Sequence, residues 1–369
     1  MFERLRIFLA WHVVHCLVGM TFGDWWRLLR KHRFAVSPLA WHRIAFQMTV
    51  SLANSINRVL ELRAYGSRLK EVAIPPPLFV LGHYRSGTTH LHYLLTLDSR
   101  FAFPNVYQTF NPHTFLRTEW WIAPVARWLI PRFRPQDNVV LSADVPNEDE
   151  IALCAMTQLS PYLAWVFPHT GQDYHRYLTF EDVSADEIAT WKAAMTLFFQ
   201  KLTFKYGRPL ILKSPPHTAR IRLLLEMFPE ARFVHIHRDP YAVFQSTRHL
   251  ADRIRPVLGL QSGRQTDDSI FAVYRSMYSA FFEQKGLIPA GRFCEVSYDE
   301  LTKNPVEVVR SIYESLDLKE FDAVQPKLEA YLTSISGYQK NRHPELPEPL
   351  RRRIAEEWSR GFAEWGYPL

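Results

Sequence analysis

The sequence predicts an α/β protein: a three-layer fold around a mostly parallel central sheet, extended at its N-terminus by helices. Short apolar runs at Pro77–Leu81, Pro209–Lys213, Arg232–His237 and Arg292–Val296 read as strands. Each is followed by helical sequence rather than by a two-residue turn, and that alternation is the mark of a parallel sheet. The runs end in glycine, lysine, arginine or tyrosine neighbourhoods. In a parallel sheet such ends share one edge, where α/β proteins bind ligands. At 369 residues, 47% hydrophobic and 22% charged, the chain is long enough for one large domain with helical additions, or for two.

Residues 1–70 are expected to form amphipathic helices and residues 71–369 the α/β domain. Ile7 to Phe22 is mostly apolar but contains His12 and His15. It is shorter than the roughly 20 residues a spanning helix needs. Trp25 and Trp26 then precede Arg27, Arg30, Lys31 and Arg33, a pattern that suits an interfacial helix with aromatic rings in lipid and cations near headgroups. A signal peptide would share the charged start and apolar run, yet no small-residue cleavage site follows. A helix packed on the protein's own core is the remaining reading. From Trp41 to Tyr65, Ile44, Met48, Leu52, Ile56 and Leu60 recur four residues apart and predict an amphipathic helix. Pro75-Pro76-Pro77 ends it and delivers an extended chain into the first strand.

The next stretch, Gly82-His83-Tyr84-Arg85-Ser86-Gly87-Thr88-Thr89, joins that strand to a helix. Glycines at both ends let the backbone curl with its N–H groups inward, and the helix N-terminus adds partial positive charge, so an anion can be held by main-chain donors. Gly82, four residues, Gly87 matches the opening of a Walker A loop. The lysine that should follow is Thr88, and the loop's cation is Arg85 instead. A P-loop kinase or nucleotide hydrolase is therefore the less favoured reading.

Asn111 to Pro135 carries Trp120, Trp121, Trp128 and four prolines with no regular period. Short helices and turns are expected there, forming an apolar wall that lines an acceptor pocket, touches membrane or is buried. Asn147-Glu148-Asp149-Glu150 opens a helix, where carboxylates favour the dipole. Ser184 and Glu187 have capping-box spacing for a helix ending near Gly207. Lys213 closes the second strand, with a helix over Thr218–Phe228. Arg238-Asp239-Pro240 closes the third, with a helix from Tyr241. Tyr298-Asp299-Glu300-Leu301 follows the fourth, before a helix over Pro305–Leu316. Another helix is expected around Arg351 to Phe362.

Lys and Arg exceed Asp and Glu by 44 to 37, a net charge of +7. That suits an anionic cosubstrate but is too small and dispersed to argue for nucleic acid. Cys16, Cys154 and Cys294 have no metal-type spacing. A reducing compartment and no metal are expected.

Three strand ends thus carry Arg85, Lys213 and Arg238, with Ser246 eight residues beyond Arg238. Their convergence on one edge would suit a polyanion. The arginine and Ser86-Gly87-Thr88-Thr89 after an apolar strand, the strand-end Lys213, and Arg238-Asp239-Pro240 with its following serine, in that order, resemble the sulfotransferases that use 3′-phosphoadenosine-5′-phosphosulfate (PAPS). The arginine form of the loop is closer to the tyrosylprotein and bacterial branches than to the cytosolic branch. The resemblance covers about Leu78 to Leu316.

It implies a P-loop-like α/β fold and PAPS as cosubstrate without metal. The loop, Arg85 through Thr89, would hold the 5′-phosphosulfate, Arg238 and Ser246 the 3′-phosphate, and Tyr298 would lie near adenine. Arg85 and Lys213 would be the catalytic cations, because cations fixed at the leaving bridging oxygen lower the barrier. The family's usual base positions hold Pro215 and Gln108 here, so Glu148 and His113 are the base candidates. The expected acceptor is a hydroxyl of a hydrophobic, lipid- or sterol-like molecule, with a glycan or protein as alternative. The expected location is cytoplasmic, peripheral on the membrane through the N-terminal helix.

Overall fold

The computed structural model describes residues 15–130, 140–169, 173–263, 266–337 and 344–369. Half of the apolar stretch Ile7–Phe22, residues 7–14, therefore lies outside the described residues. In its described part the chain turns from His15, and the first helix begins at Phe22, capped by the Thr21 hydroxyl.

The principal elements in chain order are α1 (Phe22–Lys31), α2 (Trp41–Lys70), β1 (Leu78–Leu81), α3 (Thr88–Leu95), α4 (Phe115–Leu129), α5 (Asp149–Thr157) and α6 (Ala185–Tyr206). They continue with β2 (Ile211–Lys213), β3 (Arg232–His237), α7 (Pro240–Leu258), α8 (Asp267–Gln284), β4 (Phe293–Ser297), α9 (Pro305–Ser315), α10 (Phe321–Ser334) and α11 (Ser359–Trp365). They fall into two compact units. One comprises the described residues within Met1–Ile74, Pro104–Gly207 and Ala251–Gln265; the other, those within Pro75–Phe103, Arg208–Leu250 and Thr266–Leu369.

The second unit contains the sheet. Its strands are ordered β2-β1-β3-β4 and every pair is parallel, with Val80 opposite both Lys213 and Val234, and His237 opposite Ser297. Because side chains alternate across a strand, Leu78, Val80, Val234, Ile236 and Val296 share one face with α3, α9 and α10 through Leu91, Leu94, Ile312 and Leu328. The other face carries Phe79, Phe233 and His235. Phe79 stacks on Phe233 with ring centroids 5.5 Å apart, and His235 stacks on Phe281 of α8 at 4.1 Å. Burial on both faces explains why the strands are continuous apolar runs.

The chain leaves this unit after Phe103 and re-enters it at Arg208. Departure and return are hydrogen-bonded to each other: Ala102 N–H donates to Pro209 O and Ile211 N–H to Ala102 O, both 2.8 Å.

The first unit is helical. Ser184 and Glu187 make the reciprocal capping box expected of α6, and Gly207 ends it at φ +61°. In α2 the expected apolar stripe holds at Ile44, which is buried, and is inverted at Leu52 and Ile56. A stripe ordinarily faces the core, yet here Leu52, Ile56 and Val59 are exposed while Gln47, Ser51, Asn54 and Glu61 are buried. Hydrogen bonding accounts for the inward turn of Asn54 and Glu61, while Gln47 Nε2 is left without a partner. Asn54 donates to Val18 O at 2.7 Å and Met20 O at 3.1 Å, and Arg43 donates to Val257 O at 2.9 Å. Glu61 pairs with Lys201 of α6 at 2.5 Å and accepts the Arg117 N–H at 3.0 Å. The second correction is α4: a continuous helix replaces the expected short helices and turns, with Pro124 inside it. Its inward side is only Phe115, Thr118 and Ala123, and its outward tryptophans hide the period.

Removing one member of a buried ion pair strands the other's charge. Lys201→Met is expected to lower unfolding free energy by about 3–5 kcal/mol. Combining it with Glu61→Leu should restore most of that, as read from urea denaturation.

Candidate active site

The site residues of the second unit are set by the β1–α3 loop. Gly82 sits at φ +146°, and a Cβ there would lie 2.6 Å from Ile236 O. Its N–H donates to Thr218 Oγ1 at 2.8 Å. Ser86, fully buried, donates its hydroxyl to His83 O at 2.7 Å and so shapes the turn. Gly87 sits at φ +99°, where a Cβ would meet the Tyr298 ring at 2.3 Å. Helix α3 then starts at Thr88, and amides in the first turn of a helix lack partners within it.

Between the glycines, Arg85 adopts φ +68°, a left-handed conformation unusual for a residue with a side chain. Two bonds hold it. Arg85 Nε donates to Ser246 Oγ at 2.9 Å, and Arg238 donates to Arg85 O at 3.0 Å. The Arg238 guanidinium lies 4.5 Å from the centroid of the Tyr298 ring, a cation–π distance. Lys213 is buried at the end of β2, its Nζ 3.5 Å from Thr89 Oγ1. Arg85, Ser86, Gly87, Thr88, Thr89, Lys213, Arg238, Ser246 and Tyr298 are thus gathered at the carboxyl edge of one parallel sheet.

Asp239 and Pro240 have a local task. The Asp239 carboxylate accepts the Tyr241 N–H at 3.0 Å and Pro240 opens α7, where its missing donor costs nothing. Beside them, His237 stacks on Trp365 with centroids 5.0 Å apart, and its Nδ1 is 2.9 Å from the Tyr367 hydroxyl. Glu295, beneath, accepts from Trp365 Nε1 at 2.8 Å and pairs with His235 Nδ1 at 2.9 Å. Burial opposes its ionisation, but these bonds and Lys285 hold its carboxyl down at about 2.

Glu148 and His113 belong to the first unit. Glu148 occupies the N-cap position of α5 without a side-chain capping bond, and the Tyr162 hydroxyl donates to its Oε2. Its neighbours Asp149 and Glu150 are buried in the first turn, with Ser160 donating to Glu150 at 2.7 Å. His113 is buried, and its Nε2 has no hydrogen-bond partner. Burial, then the nearby Arg58 and Lys201, push its pKa down to about 3.

Sequence reading missed Thr218, Trp365 and Tyr367. Thr218 acts on Gly82 across 136 positions and carries no local signal. The aromatic end of the chain was visible, but its packing against His237 was not. Among the described residues, no group of three His, Cys, Asp or Glu side chains could hold a metal ion.

A parallel α/β sheet whose carboxyl edge gathers two arginines, a lysine and a glycine-bracketed loop is a frame suited to an enzyme that holds an anionic group. Residues 76–323 match the model of the Sulfotransferase family. The chain belongs to that family and is a sulfotransferase. It is 37% identical over 353 residues, 95% of this chain and 90% of the relative, to omega-hydroxy-beta-dihydromenaquinone-9 sulfotransferase Stf3 of Mycobacterium bovis. The same values hold for Stf3 of Mycobacterium tuberculosis. Its fold is shared with sulfotransferase STF9 from Mycobacterium avium, with a TM-score of 0.67 at 20% identity, covering 95% of this chain and 98% of that one. Sulfotransferase STF1 from Mycobacterium tuberculosis gives 0.66 at 18% identity, with 92% of each chain covered.

Two outcomes follow from this geometry. Gly87→Ala should displace Tyr298 and lower stability by about 1–3 kcal/mol, measurable as a reduced urea midpoint. Burial pushes His83 and His237 down to about 4 from an ordinary 6.5. The folded pKa values are depressed, so the stability of these neutral rings is complete above 6.5 and is lost as pH falls toward 4. The thermal midpoint should decline across that window; a level midpoint would mean that the rings are reached by solvent.

Proposed function

We propose that the enzyme transfers the sulfuryl group of PAPS to a hydroxyl of a hydrophobic, lipid- or sterol-like acceptor and releases 3′-phosphoadenosine-5′-phosphate. The observation that carries the reading is the linkage of Arg238, Arg85 and Ser246 by hydrogen bonds around one loop. Two phosphate-bearing ends of one nucleotide call for such a pair of basic groups at fixed separation. The family supports sulfuryl transfer. The name of the 37% identical relative, which acts on a hydroxylated menaquinone derivative, supports a hydrophobic acceptor.

In this reading the loop amides, Ser86, Thr88 and Thr89 cradle the 5′ end, and Gly87 allows close approach. Arg238 and Ser246 bind the 3′-phosphate, the arginine bidentately, which selects PAPS over nucleotides lacking that group. Tyr298, already stacked with Arg238, offers its ring beside the adenine. Sulfuryl transfer forms a sulfur–oxygen bond to the acceptor, breaks the one to the 5′-phosphate, and leaves the electron pair on the bisphosphate. Arg85 and Lys213 stabilise that growing charge.

We assign the acceptor's proton to Glu148 rather than His113. A ring held near 3 by burial and two cations is a poor base at neutral pH. The Tyr162 hydroxyl orients the Glu148 carboxylate. The enzyme works on the cytoplasmic side, in peripheral contact with the membrane through its N-terminal segment.

Calorimetry with 3′-phosphoadenosine-5′-phosphate, adenosine 5′-monophosphate and ATP·Mg²⁺ tests the donor site. Wild type should prefer the bisphosphate without metal, and Arg238→Ala should lose that preference. Lys213→Ala should still bind it while sulfate transfer from PAPS drops about 10²–10³-fold. Tighter binding of ATP·Mg²⁺ would replace this reading with a kinase or hydrolase.

A further inference from the structure

We propose that the outward faces of α2 and α4 form a docking surface for an anionic lipid bilayer, on which the enzyme lies. This goes beyond the contact proposed for the N-terminal segment and does not depend on the identity of the acceptor.

The surface begins with the inverted stripe. Leu52, Ile56 and Val59, at i, i+4 and i+7 of α2, are 50%, 63% and 48% exposed. On α4, Trp120, Trp121 and Trp128 are 80%, 49% and 58% exposed. The two helices are joined through the Arg117 N–H and Glu61. Single exposed apolar side chains are ordinary, but repeated stripes on neighbouring helices mark an interaction surface. Three outward tryptophans narrow the partner, because an indole places an apolar ring and one N–H donor at the depth of lipid headgroups.

Charge decides between lipid and a second copy of the chain. The exposed charged side chains of α2 are Arg58, Arg63, Arg68 and Lys70, all basic; Arg63 and Lys70 share the side of the helix that carries Leu52, Ile56 and Val59, whereas Arg68 lies over the Phe204 ring of α6. Its only carboxylate, Glu61, is buried against Lys201. Two such faces brought together would oppose like charges, whereas an anionic bilayer attracts each of them. No described helix is long and apolar enough to cross a membrane. A helix with outward apolar and basic residues and no capacity to span lies in the interface plane.

The test uses the full chain with vesicles of phosphatidylcholine, with or without phosphatidylglycerol, read by co-sedimentation and by tryptophan emission. Wild type should bind the phosphatidylglycerol vesicles with a blue shift, and less so at high salt. Leu52→Ser/Ile56→Ser and Trp120→Ser/Trp128→Ser should each weaken binding at least tenfold. Arg63→Glu/Lys70→Glu should abolish the preference for anionic lipid. Circular dichroism and bisphosphate calorimetry, run on every variant, separate this surface from the fold and from the donor site. The proposal is overturned if wild type binds neither vesicle, or if the stripe variants bind as wild type does. It is also overturned if light scattering finds a dimer that those substitutions dissociate.

Discussion

The β1–α3 loop passes its neighbours so closely that a side chain is impossible at two positions, and the rest of the sheet edge is arranged around that constraint. At Gly82 the obstacle is the backbone of β3, and at Gly87 it is the Tyr298 ring. With both ends fixed, Arg85 is carried into the left-handed region. Such a conformation costs on the order of 1–3 kcal/mol and persists only where surroundings over-determine it. Here the surroundings are the donors and acceptors of Arg238 and Ser246. Backbone geometry therefore places the cations, and hydrogen bonds from Arg238 to the Arg85 carbonyl and from Arg85 to Ser246 keep them together.

The helical unit works by another rule. Its long helix α2 turns Asn54 and Glu61 inward and satisfies them with carbonyls, a lysine and a backbone N–H. A buried ion pair contributes little net stability compared with apolar packing. What it does supply is direction, since a carboxylate that must meet both Lys201 and the Arg117 amide allows α2 one rotation about its axis. That rotation leaves the apolar stripe outside.

How far the sequence could be read follows from these two rules. Strands, their order along the chain, the loop and its cations are local patterns: an apolar run, a glycine pair, a charged residue at a run's end. All of them were legible, and the parallel sheet then brought Arg85, Lys213, Arg238 and Ser246 together as topology requires. The orientation of α2 was not legible, because periodicity reports that a stripe exists and not which way it faces. Glu61 needed Lys201, 140 positions away, before its inward turn made sense. The continuity of α4 was obscured by Pro124 and by tryptophans on its solvent side. Thr218 was invisible for the same reason as Lys201, its partner being far along the chain.

The neck at Ala102 and Pro209 has a consequence for how such proteins diversify. Because the chain is pinched there by paired backbone bonds, the excursion between them is closed at its base within the sheet unit itself. The entropy of closing a loop grows only slowly with its length. Residues can thus be gained, lost or exchanged in the excursion with little penalty to the edge that holds the basic cluster. The architecture lets the excursion change in length while the pinched base keeps the sheet edge in place.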